Sequence, residues 1–234
     1  LRGLQAVAAT CLCALPVVLG FVIPATVLAD YAFTSSSAVW SSDFLGFAAN
    51  SLMLATIAAL VAVAIATLLA YAARQRAGAL LLTLVRLSGL GYAIPGAVIA
   101  IGVLIPFAAF DNALDALLRE TVGISTGLLL SGTIAALIFA YTVRFLAVSL
   151  GAVEAGFSRV TPAMEHAART LGHSPTATLR RVHLPMIRGS LLTGGLLVFV
   201  DTMKELPATL VLRPFNFDTL ATFVYQYASD EALE

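Results

Sequence analysis

Residues 44–73 have the sequence FLGFAANSLMLATIAALVAVAIATLLAYAA, which contains no charged side chain. An α-helix needs about 20 predominantly apolar residues to cross a lipid bilayer, so this segment is long enough to span one. The composition of the whole chain agrees, because 60% of its 234 residues are hydrophobic and only 11% are charged. Soluble domains carry about 25% charged residues. The sequence therefore predicts an integral membrane protein.

Apolar stretches on both sides of this segment predict further spanning helices. Three of them meet the same length test: residues 4–29, 87–110 and 124–143. Pro16 and Pro24 are expected as kinks within the first of these. A fifth stretch begins at Gly189 and is apolar only as far as Val200. The prediction is an all-α, polytopic transmembrane helical bundle of about five spanning helices, forming a single domain over residues 1–234.

The charged residues change sign from one link to the next. The links after the first and third stretches are mainly acidic, whereas the other two links are mainly basic and carry Arg74, Arg76, Arg86, Arg144, Arg159, Arg169, Arg180, Arg181 and Arg188. Loops rich in Lys and Arg stay on the cytoplasmic side of a membrane. The N-terminus and the long Arg-rich link are therefore predicted to be cytoplasmic. The formal net charge is zero, which gives no support to a nucleic-acid partner.

The long basic link, residues 154–188, has the signals of two short helices. Thr161–Pro162 is a typical helix start, and Gly172 is a typical helix end. Ser174–Pro175 starts a second short helix, which we expect Leu184–Pro185 to close. The result is a helix–turn–helix with small residues that allow a close approach. Such a projection suits insertion into a groove on a partner protein.

This link also resembles a known family motif. Residues 167–172 read AARTLG, and Val182 and Leu184–Pro185 follow at fixed spacing. The pattern is similar to the E-A-A-x-x-x-G-x9-I-x-L-P loop of permeases of type I binding-protein-dependent ABC importers, with His166 in place of the motif's Glu. The resemblance implies a cytoplasmic coupling loop that docks on a pair of ATP-binding subunits. The docking residues it implies are Glu165, His166, Ala167, Ala168, Gly172, Leu184 and Pro185.

Two further stretches resemble the ferric-iron branch of that family: residues 92–96 (YAIPG) and the run from Asp201 to Thr222. The resemblance implies a multi-pass protein of the bacterial inner membrane that receives its substrate from a periplasmic binding protein. It also implies that the chain is one half of a permease, the C-terminal half of a fused one, with its final helix missing and a second half as partner. Ferric iron is the implied substrate. Related permeases for thiamine, sulfate, polyamines or phosphonates share the loop motif.

Charged residues interrupt the fifth apolar stretch. Asp201, Lys204 and Glu205 have the spacing of residues on one helix face, and Pro207 follows them. Charges at membrane depth are costly and commonly line a transport pathway. One interpretation is therefore a gate or ion-contact site, for which Glu205→Gln should reduce transport while assembly stays intact. The other is a self-neutralising structural cluster in which Lys204 pairs with Asp201 or Glu205.

The sequence offers no cofactor or metal site of its own. The single lysine, Lys204, follows Met203, so the chain has no phosphate-binding loop for ATP. ATP hydrolysis is therefore assigned to the separate partner. His166, His173 and His183 all fall in the basic link without a completing ligand set, and we expect them to be surface residues.

Two other classes of function compete with transport driven by a partner ATPase. A membrane-embedded enzyme needs a base and a nucleophile in one cavity, and only the region 201–205 offers candidates. A self-sufficient secondary transporter or channel needs inverted repeats or a filter, and neither is visible in the sequence. The helix–turn–helix link favours the permease, because only that hypothesis requires it.

Overall fold

All regular elements in the part of the chain that the structure describes are helical. The computed structural model describes residues 3–34, 42–75 and 78–230. Its α-helices are α1 (Leu4–Val17), α2 (Ile23–Thr34), α3 (Ser42–Gln75), α4 (Ala79–Ser88), α5 (Gly96–Thr121), α6 (Ile134–Phe157), α7 (Pro162–Thr170), α8 (Pro175–Thr178), α9 (Leu184–Met203), α10 (Pro207–Leu212) and α11 (Leu220–Ser229). Two π-helical turns and one 3-10 helix complete them: Val18–Val22, Leu179–His183 and Gly89–Ala93.

Within the described residues, five helical stretches are long and apolar enough to cross a membrane. They are Leu4–Thr34, Asp43–Gln75, Gly96–Thr121, Ile134–Phe157 and Pro175–Met203. The predicted all-α polytopic bundle and its number of spanning helices are therefore confirmed.

The chain divides into two compact units after Gly46. In the first unit, α1, a π-helical turn and α2 form one continuous apolar helix with no buried residue. Pro16 lies inside α1 and Pro24 near the start of α2, and neither ends the helix. The prediction of prolines within a spanning helix is confirmed. The π-helical turn between them is a common response to backbone hydrogen bonds that proline cannot make.

The second unit is built around α6. Its first core cluster includes Leu137 and Tyr141 of α6, with Leu54 of α3 and Val198 of α9 packed among them. A second cluster, which includes Val153, lies nearer the C-terminal end of α6. The buried face of α3 consists largely of alanines: Ala55, Ala58, Ala59, Ala62, Ala66 and Ala70. Small residues let helices in membranes approach closely, which explains this face.

The predicted third and fourth spanning segments are displaced from the helices observed. Residues 87–110 do not form one helix, because α4 and a 3-10 helix precede α5. The fourth segment was expected at residues 124–143, whereas α6 covers Ile134–Phe157. Residues 122–133 form a loop that α5 holds through two carboxylates. Asp111 accepts from the Ser131 backbone N at 2.7 Å, and Asp115 accepts from the Thr126 N at 2.7 Å.

The second short helix of the basic link does not end where the sequence suggested. It was expected to close at Leu184–Pro185, but α8 continues through the π-helical turn into α9, giving one stretch from Pro175 to Met203. Pro185 lies in the first turn of α9, where its missing N–H costs little. Towards the C-terminus, Thr219 caps α11 and forms a capping box with Thr222.

Candidate coupling and transport sites

The connector between α6 and α9, residues 158–183, is an ordered helix–turn–helix. Thr161 is the N-cap of α7 and Pro162 occupies its first turn, as predicted. Gly172 follows α7 with a φ of 80°, the left-handed conformation that favours glycine at a helix end. The Ser174 hydroxyl caps α8 by accepting from the Ala177 N at 3.3 Å. The start and the end predicted for the first short helix are therefore confirmed.

Arg74, in the last turn of α3, holds the inner side of this connector. Its Nε lies 2.5 Å from Oε1 of Glu165 in α7. Its Nη1 donates to the Phe157 carbonyl at 3.0 Å, and its Nη2 donates to the carbonyl of Val160. One guanidinium thus joins the end of α6 to the first short helix. Both side chains of the ion pair are shielded, with 22% of Arg74 and 15% of Glu165 exposed.

Two neighbours of Arg74 extend these contacts to both short helices. Tyr71 Oη donates to the Pro175 carbonyl at 2.7 Å. Gln75 accepts from Arg169 Nη2 at 3.1 Å and donates to Tyr71 Oη at 3.1 Å. We call Tyr71, Arg74 and Gln75 the α3 latch, because these three residues of one helix turn hold the connector.

His183 was expected at the surface, and that prediction is wrong. Its side chain is fully buried, edge-on to the rings of Tyr71 and Phe157 with both centroid distances at 5.6 Å. Its Nε2 lies 3.4 Å from Glu165 Oε1, without hydrogen-bond alignment. The π-helical turn over Leu179–His183 carries the ring into this space.

The other two histidines lie nearer the surface. His166 is exposed and His173 is half-buried. Within the described ranges, no three His, Cys, Asp or Glu side chains cluster as metal ligands.

The residues that the family motif implied for docking fall on both sides of the connector. His166, Ala167, Gly172 and Pro185 are exposed, and Leu184 is half-buried. Ala168, in contrast, is buried within the chain. Glu165 faces the α3 latch.

One exposed residue of the connector was missed. Leu171 is 77% exposed beside Gly172, and an apolar residue just before a helix-ending glycine was the available signal.

Asp201, Lys204 and Glu205 do not share one helix face, contrary to the prediction, because only Asp201 lies within α9. The helix ends at Met203, and Lys204 lies at its C-cap. Lys204 Nζ lies 2.9 Å from Asp201 Oδ1, and the lysine is 72% exposed. The hydrogen bond and negative charge of Asp201 raise the pKa of Lys204. Glu205 is 7% exposed and points into the protein.

Glu205 instead faces Arg144 of α6, a residue that the sequence placed in the basic link. Arg144 Nε lies 3.2 Å from Glu205 Oε2, at ion-pair distance but without hydrogen-bond alignment. Arg144 Nη1 also donates to the Ile94 carbonyl at 2.7 Å. A Cβ at Gly96 would overlap Glu205 Oε1, so the pair fills the space at the start of α5.

The break between α9 and α10 is stabilised by the residues around it. Pro207 lies in the first turn of α10, and the Ala208 N donates to Glu205 Oε1 at 3.4 Å. Tyr141 and Thr209 share a buried hydrogen bond between their hydroxyls at 2.6 Å. The ion pair therefore joins α6, the entry to α5 and the α9–α10 break.

These features define a class: a multi-pass helical membrane protein in which an ordered connector links two spanning helices and a buried ion pair lies at a helix break. Comparison with known families makes the class specific. The family described as binding-protein-dependent transport system inner membrane component matches residues 66–229, which is more than half of the chain. The chain belongs to this family.

Individual relatives agree with this assignment. The Fe(3+)-transport system permease protein FbpB 2 of Haemophilus influenzae is 29% identical over 189 residues, covering 81% of this chain and 34% of that protein. A putative 2-aminoethylphosphonate transport system permease protein, PhnV of Salmonella typhimurium, is 29% identical over 96 residues, or 41% of this chain and 36% of that protein. The chain thus spans about a third of the length of these curated relatives. The resemblance to binding-protein-dependent permeases and their ferric-iron branch is confirmed.

The fold is also similar to that of a solved transporter. A bacterial alginate ABC transporter, crystallised in complex with an alginate pentasaccharide-bound periplasmic protein, aligns with a TM-score of 0.69. The alignment covers 98% of this chain and 85% of that chain at 15% sequence identity. This similarity concerns the fold alone.

Proposed function

We propose that the chain is a membrane-spanning permease subunit of an ATP-driven importer of the bacterial inner membrane. In this proposal the connector docks on a pair of cytoplasmic ATP-binding subunits, and the N-terminus of the segment is cytoplasmic. The observation that carries the proposal is the two-sided connector. Its inner side is held by the α3 latch, whereas its outer side leaves Leu171 and its neighbours exposed. A docking element needs both an anchored side and a free side.

The latch gives the connector a mechanical role in this proposal. Glu165 supports the connector from inside, and His166, Ala167 and Gly172 lie on the side that faces the partner. Because α8 runs into α9, a displacement of the connector acts on a spanning helix directly. ATP hydrolysis in the partner would use this path to move the permease.

A second permease half and a periplasmic binding protein complete the proposed assembly. The Haemophilus influenzae relative, of which the matched region is only 34%, supports a second half, fused or separate. The family description itself refers to binding-protein-dependent transport, which supports a binding protein at the end opposite the connector. The lipid bilayer surrounds the apolar helices.

Ferric iron is our proposed substrate, on the similarity to the Haemophilus influenzae protein. The match to the phosphonate permease supports 2-aminoethylphosphonate as a second candidate. Uptake assays in cells that express the complete system, with radioactive ferric iron or labelled 2-aminoethylphosphonate, separate the two. Uptake of neither compound would reject both substrates and leave the permease assignment in place.

We place Asp201, Lys204, Glu205 and Pro207 beside the translocation path, with the Glu205–Arg144 ion pair as the contact that changes during transport. Support comes from the helix break between α9 and α10 and from the burial of Glu205. The alternative is that Asp201–Lys204 and Arg144–Glu205 are two structural ion pairs. The variants described in the Discussion distinguish these roles.

Copurification with the ATPase tests the docking proposal. Leu171→Asp places a charge on the exposed side of the connector, and we expect it to abolish retention of the ATP-binding subunit. Leu128→Asp is the matched control, because Leu128 is 59% exposed in the α5–α6 loop and lies outside the connector. Equal retention by Leu171→Asp and the wild type would contradict docking through the connector.

A further inference from the structure

A polar pocket of about 400 Å3 lies between α6 and α9, at the ends that adjoin the connector. Two arginines, Arg159 and Arg188, and two hydroxyl residues, Ser190 and Thr193, line it. No carboxylate is present among the described residues that form its lining. Its volume is in the range of about 300–1,000 Å3 found for small-molecule pockets.

A close helix crossing brings the two arginines to one pocket. Gly156 of α6 packs against Ser190 of α9, and a Cβ at position 156 would lie 2.8 Å from the Ser190 Cβ. Arg159 follows Gly156 at the end of α6, and Arg188 precedes Ser190 in α9. The side chain of any larger residue would push the helices apart at this point. The crossing therefore brings both arginines to the same opening.

The positive charge of this pocket is not neutralised within the chain. Both arginines are exposed, and neither has an ion-pair partner among the described residues. By contrast, Arg74 and Arg144 are paired with carboxylates. Ser190 makes no side-chain hydrogen bond within the described ranges, so its hydroxyl is free to donate to a ligand.

The pocket lies where an anionic headgroup would lie. Residues 189–200 are free of charged side chains, so Arg188 marks the end of the apolar part of α9. Beyond the pocket, α9 exposes the apolar side chains of Leu192, Leu196 and Leu197. The polar opening suits the headgroup of a phospholipid, and the exposed apolar helix face suits its acyl chains.

We infer that this pocket binds a phosphate group, and that the headgroup of an anionic phospholipid supplies it. Guanidinium groups bind phosphate through charge-assisted hydrogen bonds, and basic pockets between helices at the membrane surface select anionic headgroups. Free inorganic phosphate offers the same chemistry without the acyl chains. The inference is independent of the proposed transport function.

Native mass spectrometry of the full-length polypeptide in detergent tests this inference. The probes are phosphatidylglycerol, phosphatidylcholine and inorganic phosphate. The double substitution Arg159→Gln/Arg188→Gln removes the pocket's charge, and Arg180→Gln/Arg181→Gln is the matched control. All four arginines are exposed and lack ion-pair partners among the described residues, so neither double substitution removes a buried contact.

We expect the wild type to retain phosphatidylglycerol over phosphatidylcholine. The pocket variant should retain it about 25-fold less, since each of the two arginines in the pocket should contribute roughly fivefold to anionic lipid affinity. The control variant should behave like the wild type. Equal losses in both variants, or no lipid preference in the wild type, would overturn the site. Displacement of the lipid by millimolar inorganic phosphate would overturn the lipid as occupant and retain a phosphate site.

Discussion

The Arg144–Glu205 ion pair leads to the most quantitative prediction. At 3.2 Å the attraction between two unit charges is roughly 5 kcal/mol with an effective dielectric constant of about 20. The loss of solvation on burial offsets much of this attraction. Removal of one partner leaves the other charge buried, which typically costs about 3–5 kcal/mol. Since 20% of Arg144 and 7% of Glu205 are exposed, we expect Arg144→Met and Glu205→Gln to fall near the lower end of that range.

A double-mutant cycle measures this interaction. The single variants and Arg144→Met/Glu205→Gln are unfolded chemically in detergent, and the free energies of unfolding are compared with the wild type. We expect the double variant to lose about 2 kcal/mol less than the sum of the single variants, because no unpaired charge remains. Strict additivity within about 0.5 kcal/mol would refute the reasoning, since it would mean that the two charges do not interact.

Uptake measured on the same variants separates the two roles of Glu205. A structural pair predicts that the double variant regains transport together with stability. A gate predicts that the double variant regains stability while transport stays low. The earlier expectation that Glu205→Gln leaves assembly intact is therefore refined, since burial predicts a measurable loss of stability as well.

Three further substitutions have clear expected outcomes. Gly91→Ala places a methyl group against a backbone carbonyl of α6 and should cost about 1–3 kcal/mol by chemical unfolding, whereas Gly89→Ala meets open space and should change little. Arg74→Met removes three contacts of the α3 latch and should speed tryptic cleavage in the connector about tenfold or more, whereas the exposed Arg86→Met should not. Gly172→Ala forces a left-handed backbone at the end of α7 and should cost about 1–2 kcal/mol, visible as a lower melting temperature. An unchanged stability of Gly91→Ala would contradict the close packing at Gly91. An unchanged cleavage rate of Arg74→Met would contradict the role of the α3 latch, and an unchanged melting temperature of Gly172→Ala would contradict the left-handed helix end.

Local signals in the sequence predicted the connector well. Thr161–Pro162 is a helix-start signal and Gly172 is a helix-end signal, and each depends only on residues within about one helix turn of it. The sequence alone therefore specifies where α7 starts and ends. The continuation of α8 into α9 depends on a π-helical turn before Pro185, which no local rule indicated. The burial of His183 follows from the same turn, because it directs the ring between α3 and α6.

Hydropathy located the spanning helices only approximately. Residues 122–133 are uncharged, and the sequence therefore predicts a helix over most of them. In the structure they form a loop, because Asp111 and Asp115 of α5 accept hydrogen bonds from Leu130, Ser131 and residues 125–127. The sequence contained both carboxylates, but their partners lie more than two helix turns away along the chain. Local patterns do not specify such contacts.

Arg144 shows why a charged residue next to an apolar stretch led to a wrong prediction of a helix boundary. A charged residue after an apolar stretch predicts the end of a helix, yet α6 continues through Arg144 because Glu205 lies opposite it. The Arg144–Glu205 contact lies near one end of α9, and the connector lies at the other end. Helix α9 therefore connects the two candidate sites physically. Helix α9 begins beside the connector and ends one residue before Lys204, and its 20 residues extend about 30 Å. A displacement of the connector by a docked partner would therefore act along α9 on the turn that holds Glu205, whereas the opposing Arg144 stays with α6.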